Sequence, residues 1–576
     1  MEEMISAQAH VIGYVVGGGL EANLPVRLTV PPQEVQEGSF VVIDSGGWRF
    51  YGLVTDLQLG STNPRFADEQ SEERLPRQLA ELLHGQTLYT NLAVMPVLMM
   101  ERGPELGTKE YSQWKDLHPD EAKPITVKTV PSHHSPVMLA DAADIAQIFG
   151  TDNHAEIFTI GYTREQGYPV CMDLDKFVKR SSGIFGTTGS GKSFLARMIL
   201  AGLIHANHAS ALIFDMHNEY GPDSSSSDTG AAVPGLKGKF GGKIQLVDVG
   251  AGTSFGKLNA DLSLEIAQSD ITSEDILLLS QALNLNETAA TVLAALERDF
   301  GTDWFNAFLG MQTGTTEQDE NGKSVPAPDS VEAWAGASNV HPKSALALHQ
   351  KLGRLRSKTY LIADPATKGL KAMIESLEHG NSVILSFGKS NTELDYLLVT
   401  NLITRKIRDH WEERTEAFHA KKDSKVTEPR PLVVVVEEAH KLLNREMASQ
   451  TIFSTIAREM RKYYVTLLII DQRPSQIYDE VMSQLGTRIS GSLGDEDDIN
   501  AVLSGLPGRS ALRGMLSKLQ AKEEALLLGW GVPMPIPIRS RRYDDKFWEV
   551  LLDDTKGPKT IDEASRALGF GGDDTD

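Results

Sequence analysis

Residues 186–193 read Gly186-Thr187-Thr188-Gly189-Ser190-Gly191-Lys192-Ser193 and match the pattern G-x-x-x-x-G-K-[ST] in full. The surroundings turn the match into a site. Upstream, Ser182-Gly183-Ile184-Phe185 has the composition of a short buried strand; downstream, Phe194, Leu195, Met198, Ile199, Ala201 and Leu203 recur at helical spacing. A chain that must run strand, loop, helix is committed to an α/β fold with the loop at the carboxyl end of a strand. The glycines let the backbone wrap a polyphosphate with its N–H groups turned inward, and the following helix adds its positive end. Gly186 through Ser193, with Phe194 at the helix start, are therefore the candidate nucleotide-binding residues. Lys192 is placed to reach the β- and γ-phosphates and Ser193 to ligate Mg²⁺. A plain Gly/Ser turn is the alternative, and the full match in this context argues against it.

A chain of 576 residues has room for roughly three or four domains. Its 41% hydrophobic and 23% charged residues are ordinary for a soluble protein. No run approaches the ~18 apolar residues of a membrane helix, so no membrane partner is expected. The start, Met1-Glu2-Glu3-Met4, is acidic and unlike a secretory leader, and the single cysteine, Cys171, excludes an intramolecular disulfide framework or a Cys-rich zinc site. Both fit a reducing, cytoplasmic setting. The net charge of −22 argues against a generally basic nucleic-acid coat. Any DNA contact must be local, as in a ring whose channel carries basic loops while its outside stays acidic.

Short alternating or apolar runs at His10–Val16, Val26–Val30, Phe40–Asp44, Phe50–Leu57, Met95–Glu101 and Ile125–Val130 predict a small N-terminal barrel. Helices are expected over Leu75–Leu83 and Ala140–Phe149, and the adjacent His133 and His134 read as a solvated loop. From about residue 155 strands alternate with helices, which implies a largely parallel sheet. Its candidate strands are Ser210–Asp215, Lys243–Val249, Ser382–Phe387, Pro431–Glu437, Val465–Asp471 and Ala525–Trp530. Pro222–Gly242 reads as a mobile loop, and residues 260–378 as a helical insertion broken by the polar stretch Gln312–Ser330. Glu412–Arg430 reads as a charged loop, Gly531–Ile538 as an extended arm, and Gly557–Asp576 as a short helix and acidic tail. The expected division is a barrel at 1–155, an ATPase core at 156–259 and 379–530, the insertion at 260–378, and an arm and tail at 531–576.

Leu432–Val436 followed by Glu437-Glu438 reads as a Walker B strand, delivering two carboxylates to the end of the sheet where nucleotides sit. Glu437 is the candidate Mg²⁺ ligand, and Glu438 the group that polarises the attacking water. Gln472, just past the strand Val465–Asp471, is placed to sense the γ-phosphate. Hydrolysis also needs a cation at the transition state. Arg458 and Arg461, three apart on one expected helix face, and Arg180, ahead of the loop's strand, are the candidates; an exposed surface arginine is the other reading of each. Asp215, His217 and Glu219 read equally as near the nucleotide or as an acidic turn. Lys351, Arg354, Arg356 and Lys358 are either a DNA stripe or, more simply, a solvated helix face.

Together these residues resemble the HerA family of hexameric DNA-translocating ATPases, within the wider HerA/FtsK group. The resemblance is carried by Gly183 through Ser193, by Asp215-Met216-His217-Asn218-Glu219-Tyr220, and by Glu437-Glu438-Ala439-His440. It is carried most specifically by Ala457-Arg458-Glu459-Met460-Arg461-Lys462 and Gln472-Arg473-Pro474-Ser475. It implies an α/β fold: a RecA-like P-loop ATPase core with an N-terminal β-barrel of the HAS type, an inserted helical subdomain and a C-terminal arm that braces a neighbouring subunit. It further implies a homo-hexamer with ATP and Mg²⁺ between subunits and double-stranded DNA through the pore. Arginine-finger roles would fall on Arg180 and on Arg458 or Arg461, with Gln472 as sensor. The family's usual Asp-Glu pair is Glu437-Glu438 here, a longer reach to the metal. The resemblance also implies a separate effector enzyme, a nuclease or a Sir2-like NAD-consuming enzyme, docking on the barrel, in bacterial forms for antiphage defence. Two functions follow: a DNA motor, or a nucleotide-gated scaffold that regulates such an effector.

Overall fold

Alternating apolar residues in the N-terminal part close into a barrel. The computed structural model describes residues 11–20, 22–62, 88–104, 108–151, 157–225, 230, 232–250, 254–255, 258–318, 323–363, 369–388, 392–420, 426–447 and 452–552. The chain divides into two units, one of Met1–Phe177, Phe185–Lys192 and Gly486–Asp576, the other of Val178–Ile184 and Ser193–Leu485.

In the first unit the barrel strands run, in spatial order, Leu24–Leu28, Val11–Val15, Pro136–Leu139, Phe40–Ser45, Trp48–Ser61 and Leu88–Glu101, and the last pairs back with the first. All these pairings are antiparallel. Closure leaves no open edge among the six strands and buries Ile12, Val26, Val41, Phe50, Val94 and Val137 inside. The long hairpin bends where its register shifts between Tyr51 and Gly52. There a Cβ on Gly52 would meet the Met95 carbonyl oxygen at 2.6 Å, so only glycine fits. Pro136–Leu139, absent from the sequence reading, is too short to show alternation, yet it completes the wall. The expected run Ile125–Val130 shrinks to Ile125–Thr126, both exposed. The helix expected over Ala140–Phe149 is present as Ala142–Phe149, started by a capping box between Asp141 and Asp144. The helix expected over Leu75–Leu83 lies outside the described residues.

The same unit carries an antiparallel ladder in the order Thr487–Ser490, Glu524–Gly529, Ile536–Ser540, Ile157–Thr163 and Pro169–Asp173. This corrects two expectations. Glu524–Gly529 is antiparallel to its neighbours, and the start of the segment read as an arm is a strand flanked on both sides, with Ile536, Pro537 and Ile538 buried. Thr487–Ser490 escaped the sequence reading because it carries Arg488. That guanidinium is buried and donates to the carbonyls of Val502 and Ser504 at 2.5 and 2.6 Å. Burial, with Arg509 nearby, brings its pKa down to about 10.

The second unit is built on a parallel sheet in the order Leu262–Leu264, Ile244–Val249, Ser382–Ser386, Ser210–Asp215, Leu432–Glu437 and Val465–Asp471. The last four are buried along their whole length. Burial on both faces is why their sequences are apolar runs instead of alternations. The helical insertion is present as Ser273–Leu278, Ala289–Phe300, Trp304–Gly310, Val331–Ala337, Pro342–Arg356 and Gly369–Glu378. Inside the polar stretch Gln312–Ser330, Thr316–Gln318 and Ser324–Pro326 form a small hairpin. The expected charged loop from Glu412 is a helix as far as His419, part of the 27-residue helix Glu393–His419. From Glu412 on, its charged residues are exposed or half-buried while Trp411 and Thr415, one turn apart, are buried, and the Trp411 indole donates to the Arg430 carbonyl at 2.9 Å.

Asp275 joins the insertion to that long helix. Fully buried, it closes a capping box with Thr272 and accepts from Asn401 Nδ2 at 2.9 Å and Arg405 at 2.7 Å. Asp275→Ala leaves the Arg405 guanidinium without its carboxylate and is expected to cost roughly 3–5 kcal/mol, read as a lower urea midpoint.

Candidate nucleotide site

The strand Ser182–Phe185 is buried throughout and delivers the chain to Gly186. The loop then turns on Gly186, Gly189 and Gly191 at φ of 156°, 78° and 88°. A Cβ on Gly186 would collide with the Ser190 hydroxyl, and one on Gly189 would meet nothing within 4 Å. The first glycine is thus required by space and the second by backbone conformation. The loop is pinned from outside. The Thr187 amide and hydroxyl both donate to the Ser492 carbonyl, at 3.0 and 3.2 Å, and the Lys522 amide donates to the Ser190 carbonyl at 3.2 Å. Thr188 and Gly189 are exposed at its crest. The helix Lys192–Ala206 starts at the loop's lysine; Leu195 through Ile204 are all buried, and Phe194 faces outward.

At the ends of two strands of the second unit lies an acidic cluster. Glu437 is the last residue of its strand and is 7% exposed; its Oε1 accepts from the Tyr220 hydroxyl at 2.8 Å, and its carbonyl accepts from the Tyr396 hydroxyl at 2.8 Å. Burial, and then the Glu437 charge, hold both phenols well above their usual pKa, so both remain neutral donors. Glu438 follows in the left-handed region, φ 47°, a conformation a non-glycine residue adopts only when its surroundings fix it. Gln472 Nε2 donates to Glu438 Oε1 at 2.9 Å.

Behind them, the fully buried Asp471 receives the amides of His440 and Arg473, each at 2.7 Å, and the His440 ring Nδ1 at 3.0 Å. Burial pushes the Asp471 carboxyl up, but the bonds from His440 and the amides prevail and leave it below the usual range. The hydrogen bond to Asp471 raises His440 above its usual pKa against the opposing effect of burial. Glu437, Glu438 and Gln472 thus come together as the sequence suggests. Tyr220, Tyr396, His440 and Asp471 were missed as members of the cluster. The available signal was positional: Tyr220 ends the Asp215–Tyr220 motif, His440 follows the acidic pair, and Asp471 precedes Gln472.

Asp215 acts as the organiser of a turn, its carboxylate accepting from the amides of Glu219 and Tyr220 at 2.8 and 3.0 Å. This aims Tyr220 at Glu437. Arg458 and Arg461 do not share one helix face: the helix Ile452–Glu459 ends between them, and Arg461 sits on the 3₁₀ turn Met460–Tyr463. Arg458 is exposed and pairs with Glu480 at 3.2 Å, Arg461 is exposed, and Arg180 is half-buried. The four basic residues weighed as a DNA stripe are engaged within the unit. Lys351 donates to the Asn284 carbonyl, Arg354 to that of Ala282, Arg356 to that of Leu309, and Lys358 pairs with Asp395 at 2.9 Å.

A glycine loop in this conformation at the head of a buried helix, with a parallel sheet ending in paired carboxylates, defines a P-loop ATPase. The family model described as "Helicase HerA, central domain" matches residues 158–407. The chain is 23% identical to the DNA double-strand break repair helicase HerA of Saccharolobus solfataricus, over 97% of this chain and 98% of that one. It is also 23% identical to the protein of that name from Sulfolobus acidocaldarius, over 93% and 94%. Among solved structures, VirB4 of Thermoanaerobacter pseudethanolicus aligns with a TM-score of 0.42 and 16% identity, over 67% of this chain and 96% of that one. The chain is thus similar to HerA-family helicases, through its central residues 158–407 and, at low identity, over nearly its whole length. Among the described residues no helix is long and apolar enough to cross a membrane.

The His440–Asp471 contact carries a pH signature. A histidine whose folded pKa is raised contributes stability that is complete below its unfolded value of about 6.5 and is lost as pH rises through the folded value. Asp471, depressed, stays charged throughout that range. His440→Gln is therefore expected to lower the melting temperature more at pH 6 than at pH 9, measured by scanning fluorimetry at both.

Proposed function

We propose that this protein is an ATP-driven DNA translocase that works as a homo-hexamer in the cytoplasm and hands DNA or a signal to a separate effector enzyme. The observation that carries the hydrolytic part is the Gln472–Glu438 hydrogen bond at 2.9 Å. It joins the proposed water-activating carboxylate to a group able to sense the γ-phosphate, so that loss of that phosphate and release of Glu438 are one event. Gly186 through Ser193 and Phe194 bind ATP, and Lys192 neutralises its β- and γ-phosphates. The Ser193 hydroxyl and the Glu437 carboxylate are hard oxygen donors of the kind Mg²⁺ takes, and the Tyr220 hydroxyl orients Glu437. Bound there, the metal would supply charge neutralisation on the phosphates. Glu438 accepts the proton of the attacking water, and an arginine from a neighbouring subunit, Arg180, Arg458 or Arg461, completes the charge at the transition state.

Double-stranded DNA is the substrate we favour, because the full-length relatives carry the name of DNA double-strand break repair helicases. The effector, a nuclease or Sir2-like enzyme, would dock on the barrel, with antiphage defence as the setting. One observation favours the second reading, a nucleotide-gated scaffold with little motor activity. The basic run Lys351 to Lys358 is spent on contacts within the insertion and with Asp395 of the long helix, and the chain carries a net charge of −22.

Steady-state ATPase with and without duplex DNA, at two salt concentrations, separates the two. A motor's rate rises with DNA and falls with salt as counterion release weakens binding; a rate indifferent to DNA supports the scaffold. Glu438→Gln is expected to keep ATP binding and lose about a hundredfold or more in turnover, and unchanged turnover would sink its assignment. Arg458→Ala or Arg461→Ala subunits, inactive alone, are expected to regain activity when mixed with Lys192→Ala subunits. No recovery with either arginine argues against a finger acting across the interface.

A further inference from the structure

Seven residues of the first unit, Lys518–Glu524, meet the barrel directly at one end and through Arg164 at the other, with the phosphate loop contacted between them. At one end Lys518 Nζ pairs with Glu37 Oε2 at 2.6 Å, in the turn that enters the barrel strand Phe40–Ser45. A Cβ on Gly514, a turn earlier, would stand 3.1 Å from the other Glu37 oxygen, so the segment lies directly against that carboxylate. At the far end Glu524, 6% exposed, uses both oxygens. Oε1 takes Arg164 Nε at 2.8 Å, and Oε2 takes the Gln520 amide at 2.9 Å, which fixes the bend of the segment. Arg164 then closes the circuit through Nη1, donating to the Glu37 carbonyl at 3.3 Å. Between these anchors Lys522 stands in the left-handed region, φ 70°, and its amide donates to the Ser190 carbonyl at 3.2 Å. Its Cα lies 3.4 Å from where a Gly191 Cβ would be.

The geometry points to a mechanical relay: Lys518–Glu524 couples occupancy of the phosphate loop to the Glu37 turn of the barrel. The inference rests on the reading of that loop as an ATP site. A polyphosphate drawing the loop amides inward shifts the Ser190 carbonyl, and the backbone bond from the Lys522 amide transmits the shift. The segment is too constrained to absorb it: Glu524 holds its bend, Lys522 is already in a restricted conformation, one end pairs with Glu37 through Lys518, and the other reaches the Glu37 carbonyl through Arg164. The displacement therefore appears at Glu37. By reciprocity, a partner that fixes the Glu37 turn changes nucleotide affinity by the same factor. Lys518, Arg164 and Glu524 are positioning residues in this scheme and touch no substrate.

Hydrogen–deuterium exchange on the full chain, with and without ATPγS, tests it. The analogue is expected to slow exchange at residues 186–195, at Lys522, and at the Gly38 and Ser39 amides of the barrel turn. In Lys518→Met, an exposed position, protection at 186–195 is expected to persist while the change at Gly38 and Ser39 disappears, and ATPγS affinity is expected to fall about fivefold. Protection at 186–195 with no change at Gly38 and Ser39 in the unsubstituted chain overturns the relay and leaves the nucleotide site standing. An undiminished barrel response in Lys518→Met together with Arg164→Gln also overturns it. No protection at 186–195 overturns the nucleotide site itself, and the relay with it.

Discussion

A carboxylate at the end of a strand buried on both faces must find its partners inside the protein, and the chemistry of this molecule is arranged around that constraint. Leu432–Glu437 and Val465–Asp471 run side by side through the middle of a parallel sheet, and each ends in an acid that water reaches poorly or not at all. Asp471 accepts from two amides and the His440 ring, and one Glu437 oxygen accepts from a neutral phenol. Glu438 and Gln472, one residue further along each strand, emerge further than the acids before them. They are bonded to each other, and the groups behind them hold the two strand ends in fixed relation. The sheet supplies position, the buried acids supply rigidity, and the exposed pair supplies chemistry.

The same division explains which parts of the molecule can be read from its sequence. The phosphate loop is legible because glycine, lysine and serine at fixed spacing are demanded by backbone conformation and by the ligand. The four central strands are legible because burial on both faces forces apolar runs. Tyr220 is not, because what makes it functional is a turn stabilised by Asp215 that swings its hydroxyl toward a strand more than two hundred residues away. Thr487–Ser490 was hidden for the opposite reason. Its buried Arg488 reads as a surface residue, since nothing local announces that the carbonyls of Val502 and Ser504 will receive it. Helix length was misjudged past Glu412 because charge dominates the composition there, whereas two buried residues a turn apart decide the structure.

Charge placement bears on what kind of machine this is. A chain with a net charge of −22 that acts on DNA cannot rely on general attraction, and the basic run Lys351–Lys358 is consumed in capping carbonyls and pairing with Asp395. Three of those contacts tie the insertion together and Lys358 ties it to the long helix, so the run serves structure before it serves any ligand. In the ring proposed above, DNA contact would come from a small number of side chains repeated by symmetry, each subunit contributing little and the assembly enough. The barrel contacts then acquire a further meaning, since Glu37 is held by two cations that belong to the same unit as the phosphate loop. An effector seated on the barrel would meet a surface whose anchoring is shared with the nucleotide loop, so docking and ATP turnover would draw on the same few contacts.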